Sequence, residues 1–136
     1  MQRSLLSFAL AAMAAACSKP APDVQQPAAP AGVQWTLVAL YGQPKDTAAF
    51  EKYYAETHLP LLASKAAEIG FTRGELVKFD AIDGKPAPFY READVRWDSK
   101  EARDKGLASD GWKAVAADIP KFATGGVTVL FGTKTN

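Results

Sequence analysis

The sequence predicts a small α+β domain with its elements in the order β-α-β-β-α-β. Three observations carry that expectation. Four short runs rich in aromatic and β-branched residues, at 34–41, 71–79, 89–97 and 127–134, have the length and patterning of strands. The two longest gaps between them hold apolar residues at helical spacing. Clusters of Gly, Pro, Asp and Ser punctuate the joins. At 136 residues the chain is one domain by size, and 48% hydrophobic residues are enough to build a core.

The first strand (QWTLVALY) is apolar on both faces, with Trp35, Leu37, Ala39 and Tyr41 on one and Val38 and Leu40 on the other. Such a strand must be covered on both sides. Pro44 and Asp46 start a helix, Asp46 serving as N-cap. Phe50, Tyr53, Tyr54, Thr57 and Leu61 follow helical spacing, and His58 falls on the same stripe. Pro60 is expected to kink or restart this helix, and a second piece over 61–68 closes at Gly70. Gly74 suggests a bulge in the second strand. Asp83, Gly84, Pro86 and Pro88 mark a turn. In the third strand Phe89, Arg91, Ala93, Val95 and Trp97 point one way, and Tyr90, Glu92, Asp94 and Arg96 the other. Asp98 is expected to cap the next helix with Glu101 three residues on. That helix reaches Leu107, breaks at Ser109-Asp110-Gly111 and resumes over 112–122, interrupted at Pro120.

This order is the split βαβ, ferredoxin-like sandwich. Right-handed crossovers place both helices on one face of a four-stranded antiparallel sheet. The other face then needs a cover of its own, and a second copy of the domain, sheet against sheet, is the economical one.

Ahead of the domain, residues 1–16 have the layout of a signal peptide: Arg3, an apolar run from Leu5 to Ala12, then Ala14, Ala15 and Ala16. Cys17, the only cysteine, follows at once and resembles a lipobox cysteine, which implies cleavage before it and acylation. Ser18 rather than Asp resembles the outer-membrane sorting pattern. The expected location is therefore the cell envelope, lipid-anchored at the periplasmic face of the outer membrane. Residues 17–32 combine the lipidated Cys17 with a Pro/Ala-rich tether containing four prolines and no aromatic residue. The folded domain is assigned to 33–136.

Lys and Arg total 16 and Asp and Glu 15. With Arg3 in the leader, 16 − 1 leaves 15 of each sign in the mature chain. That balance argues against nucleic acid as a partner. One histidine and one acylated cysteine give no metal site of the usual ligand count, and no phosphate loop or dinucleotide fingerprint is present, so no cofactor is expected.

The strand 37–41, then Phe50, Tyr54 and the run His58-Leu59-Pro60-Leu61, resemble the EthD-like family, named for a protein linked to ethyl tert-butyl ether degradation. The segment Ala93-Asp94-Val95-Arg96-Trp97-Asp98-Ser99, with Asp118 and Phe122, adds to the likeness, which spans about residues 34–134. The resemblance implies membership of the dimeric α/β-barrel superfamily, a homodimer, a pocket between helix and sheet near His58, and a loose grouping with oxidoreductases.

His58 is the candidate catalytic residue, because an imidazole can accept and return a proton near neutrality. A structural histidine bonded to backbone at the Pro60 break is the other reading. Trp35, Tyr41, Tyr54, Phe89 and Trp97 are candidates to line a substrate cavity, or are simply core. Arg91 shares a phase with apolar neighbours and must pair or line a wet cavity. With Arg73 and Glu75 it forms a charged trio that serves as a dimer-interface network or a ligand anchor. Asp110 reads as a cap and Asp118 as a helix-surface carboxylate, or one that bonds across the dimer. The expected function is a membrane-anchored domain that acts on or binds a small hydrophobic molecule. Its chemistry would be of oxidoreductase, cyclase or isomerase type, with His58 as acid/base. The alternative is a non-catalytic envelope lipoprotein that binds a ligand or supports a partner enzyme.

Overall fold

A computed structural model describes residues 32–135. The expected signal peptide, Cys17 and the expected tether through residue 31 lie outside the described residues. The strands are β1 (Val33–Tyr41), β2 (Arg73–Lys78), β3 (Arg91–Trp97) and β4 (Val127–Thr135). The helices are α1 (Thr47–Tyr53), α2 (Leu59–Ile69), α3 (Lys100–Ala108) and α4 (Asp110–Asp118). The sheet runs β2-β3-β1-β4 with every neighbour antiparallel, which is the ferredoxin-like α+β order expected from the sequence.

Register settles which residues share a face. Trp35, Leu37, Ala39 and Tyr41 stand opposite Trp97, Val95, Ala93 and Arg91. This row lies under the helices and forms the core with Phe50, Tyr54, Ile69, Val115 and Phe122. Thr36, Val38 and Leu40 stand opposite Arg96, Asp94 and Glu92 on the other face.

Capping follows local chemistry. Asp46 accepts from the Ala49 N–H as expected. The third helix is capped by Ser99, whose hydroxyl accepts from Ala102 N–H, not by Asp98. Ser109 ends α3 and caps α4 by accepting from Trp112 N–H, while Asp110 pairs with Lys113 instead of capping. The helix restarts at Pro60 as expected: α2 begins at Leu59 with Pro60 in its first turn and closes at Gly70. Lacking an N–H, and with a ring that would press on the Glu56 carbonyl, Pro60 is accommodated by a widened π-turn, Tyr54–His58, in which Leu59 N–H donates to Tyr54 O.

Three expectations about β2 and β3 need correction. Gly74 is not a bulge, since it pairs with Val95 in unbroken register. Tyr90 precedes β3 and turns inward: it is buried, packs edge-on to Phe50 at 5.2 Å and donates to Glu51. Arg91 does not share a face with Arg73 and Glu75. Arg73 stands opposite Arg96 and Glu75 opposite Asp94 on the open face, whereas Arg91 stands opposite Tyr41 on the helix side.

The open face carries a denser charge network than that trio. Arg96 is only 2% exposed, bonds Asp94 through Nε at 2.8 Å and also pairs with Glu75. Thr36 donates to Asp94. Around this network Val77 and Leu130 are exposed.

Helix α3 reaches the core through Gly106. A Cβ there would lie 2.2 Å from Ile69 O and 3.0 Å from Trp97 Nε1, the same indole nitrogen that donates to Ile69 O at 3.1 Å. Gly106→Ala therefore has to displace backbone and should lower unfolding stability by about 1–3 kcal/mol. Urea denaturation of the two proteins checks this; an unchanged midpoint would contradict the close approach.

Candidate functional site

His58 ends the π-turn and is 3% exposed. Its ring stacks on Tyr54 at 5.5 Å and tilts against Phe122 at 4.6 Å. Tyr41, Phe50, Tyr54 and Phe122 form a continuous aromatic cluster that holds the imidazole in one position.

The polar partner of His58 is Asp118, not backbone at the Pro60 break. Asp118 is a buried residue at the end of α4, and its Oδ2 lies 3.0 Å from His58 Nδ1. This corrects the surface-carboxylate reading. Asp118 Oδ1 accepts from the Tyr53 hydroxyl at 2.8 Å and from Lys121 Nζ at 3.1 Å. Burial pushes the Asp118 carboxyl up, but the hydrogen bonds from His58, Tyr53 and Lys121 outweigh it and hold it below its usual range. An ionised carboxylate only accepts, so Nδ1 carries the proton and Nε2 is the basic nitrogen of neutral His58. Burial pulls the imidazole below its ordinary value, against the opposing pull of Asp118.

A small cavity of about 30 Å³ lies beside the ring. Leu37, Ala39, Tyr41, Ala93 and Val95 form its floor from the sheet. Tyr54, His58 and Leu62 wall one side, and Trp112, Val115 and Ile119 the other. As it stands it has room for a water molecule or two. Burial raises the hydroxyls of Tyr41 and Tyr54, the latter pushed up to about 12, so both remain protonated donors at neutral pH.

Of the sequence candidates, Tyr41, Tyr54 and His58 meet at this cavity. Arg91 stands behind it, its guanidinium 4.9 Å from the Tyr54 ring centre and paired with Glu51 at 2.7 Å; its Nε is buried without a partner. Trp35, Phe89 and Trp97 do not line it. Trp97 is fully buried and bonded to Ile69 O, and Trp35 lies under the Arg103 guanidinium at 5.0 Å. Phe89 instead joins Phe79, Ile82 and Pro88 in a more open apolar hollow of about 390 Å³ at the β2–β3 connection. The sequence reading missed Tyr53 and Lys121 as site residues, and missed Asp118 as the partner of His58. A signal existed, since Asp118 falls between Val115 and Phe122 on the apolar stripe of its helix. Among the described residues no group of three His, Cys, Asp or Glu side chains is placed to hold a metal ion.

A ferredoxin-like domain with one buried histidine at a helix–sheet cavity defines the class. No protein-family model matches the sequence. An uncharacterised 11.0 kDa protein of Rhodococcus erythropolis, from the thcB-thcC intergenic region, is 35% identical over 97 residues, covering 71% of this chain and 91% of that protein. The crystal structure of an ethyl tert-butyl ether degradation (EthD) family protein from Bacillus halodurans superposes with a TM-score of 0.65 at 28% identity, over 73% of this chain and 96% of that one. A dimeric ferredoxin-like protein of unknown function from Jannaschia sp. CCS1 shares the fold at 16% identity, with a TM-score of 0.55 over 74% of this chain and 98% of that one. The chain is a relative of the Rhodococcus protein and resembles the Bacillus EthD family protein in sequence and fold.

The His58 environment makes stability depend on pH. The unfolded chain takes up a proton near the ordinary imidazole value of 6.5, while the folded chain resists it until lower pH. Stability conferred by neutral His58 is therefore present above 6.5 and declines as pH falls through the folded value. Denaturant melts at about pH 7.5 and 5.5 should show a loss for the wild type that shrinks in His58→Gln. Equal losses in both proteins would contradict it.

Proposed function

We propose that the chain is an EthD-like envelope lipoprotein, anchored through Cys17, that works as a homodimer and binds a small hydrophobic molecule beside His58, which serves as acid/base. The observation that carries the site is the buried His58–Asp118 pair on the wall of an apolar cavity between helices and sheet. A histidine oriented by a carboxylate, with Nε2 left basic, is the arrangement of a general base. The mostly apolar walls favour a hydrophobic guest.

The homodimer reading rests on the open face of the sheet. Leu130 and Val77 are exposed around the nearly buried Arg96 network. A second copy would cover these apolar residues. Sedimentation of the wild type should give a dimer, and Leu130→Lys a monomer with unchanged circular dichroism; a monomeric wild type would remove the dimer.

The catalytic reading is tested on material taken from native membranes. Mass spectrometry identifies co-purified small molecules, which then serve as substrate. His58→Gln should keep binding and lower turnover by about 10²–10⁴-fold, the usual contribution of an acid/base group. If the wild type binds such a molecule and forms no product, the chain is a binding lipoprotein instead.

A further inference from the structure

Asp118 has two oxygens, and they face different surroundings. Oδ2 meets His58 inside the core. Oδ1 meets Tyr53 and Lys121, which together line an outer cleft of about 190 Å³ whose other cation is Lys45. The Lys121 side chain is 63% exposed while that of Asp118 is 4% exposed, so one carboxylate joins solvent to the buried imidazole.

The charges around His58 can be counted. Asp118 contributes one negative charge, and Lys121, at 3.1 Å, balances it. A proton added to His58 would then be an unbalanced positive charge among Tyr54, Phe122 and the apolar cavity wall, which is costly. The other ionisable groups packed around the ring do not supply the balance. Tyr41 from β1 and Tyr54 from the π-turn stay neutral, and Arg91 from β3 is itself a cation, paired with Glu51 of α1.

We propose that Tyr53 and Lys121 are positioning residues which, acting through Asp118, keep His58 a neutral imidazole with its proton on Nδ1 and its Nε2 free to accept one from a molecule in the cavity. The inference deepens the acid/base reading of His58 and rests on it for its functional meaning. Burial and the bond to Tyr53 both favour the same state, since a carboxylate that is already satisfied at Oδ1 attracts an imidazole proton less strongly.

Nitrogen-15 NMR of the histidine-labelled full chain tests this without any substrate, because the chain contains one histidine. In the wild type the ring should be neutral at pH 7 with the proton on Nδ1. Lys121→Met should raise the titration midpoint by about half a pH unit or more, a threefold or larger gain in proton affinity. Tyr53→Phe should move it in the same direction. Lys121→Arg, which keeps the charge, should restore the wild-type midpoint. A Lys121→Met protein that titrates with the wild type overturns the proposal, and so does a wild-type ring with its proton on Nε2. If Lys121→Arg behaves as Lys121→Met does, the charge balance is refuted. None of these readings changes if the protein turns over no substrate, so failure here and failure of the catalytic reading are separable.

Discussion

Strand β1 is hydrogen-bonded along both edges, to β3 and to β4, so each of its side chains is committed to one of two faces. The helices cover one of them. There Leu37, Ala39 and Tyr41 are almost completely buried and supply the floor of the cavity. On the other, Thr36 is buried only because Asp94 and Arg96 lie across it, while Val38 and Leu40 remain half-buried. Folding can bury the apolar surface of one face within the chain, and that burial is the dominant favourable contribution. The second face keeps a polar network surrounded by exposed apolar residues, which suits a surface that meets a similar one.

The position of His58 follows from the same layer. Phe50 and Tyr54 lie on the α1 and π-turn stripe that drops onto β1, and Phe122, four residues past the end of α4, closes the cluster. Pro60 supplies the local reason for the widened turn: without its N–H the usual bond to residue 56 cannot form, and the Leu59 N–H reaches back five residues. The wider turn carries the imidazole inward over the sheet side, where Asp118 is its polar contact. A sequence feature that reads as a helix breaker thus acts as a helix shaper, because the aromatic contacts on either side hold the helix together.

The element order was legible because it depends on periodicity and punctuation, which are local. Asp46 and Gly70 were legible for the same reason: a cap and a left-handed helix stop depend on residues a few positions away. What escaped was long-range pairing. Asp118 looks like a solvated carboxylate until the fold brings it to His58, 60 positions earlier in the chain. Arg91 and Glu75 look like members of one face because each alternates with apolar residues in its own run. The true phase is set by pairing with β3, where Glu75 meets Asp94 and Lys78 meets Arg91. Trp35, Phe89 and Trp97 resemble cavity residues by type alone, and aromatic type does not say which of several apolar spaces a ring will enter.

The size of the cavity and the His58–Asp118 bond are linked by geometry. Helices α2 and α4 pack together and form the two walls beside the ring. They are tied at one end by Glu68, which accepts from Gly111 N–H at 2.7 Å, and at the other by His58 and Asp118 at 3.0 Å. A guest larger than a water molecule or two must move these walls apart or displace the half-buried Leu62, Trp112 and Ile119 between the ties. The first route stretches the bond that fixes the imidazole tautomer; the second leaves it intact. A general base needs its orientation kept while the guest is bound. Side-chain displacement of Leu62, Trp112 and Ile119, with both polar ties closed, is therefore the mode of entry compatible with acid/base work by His58. Separation of the helices would suit a protein that only stores its guest.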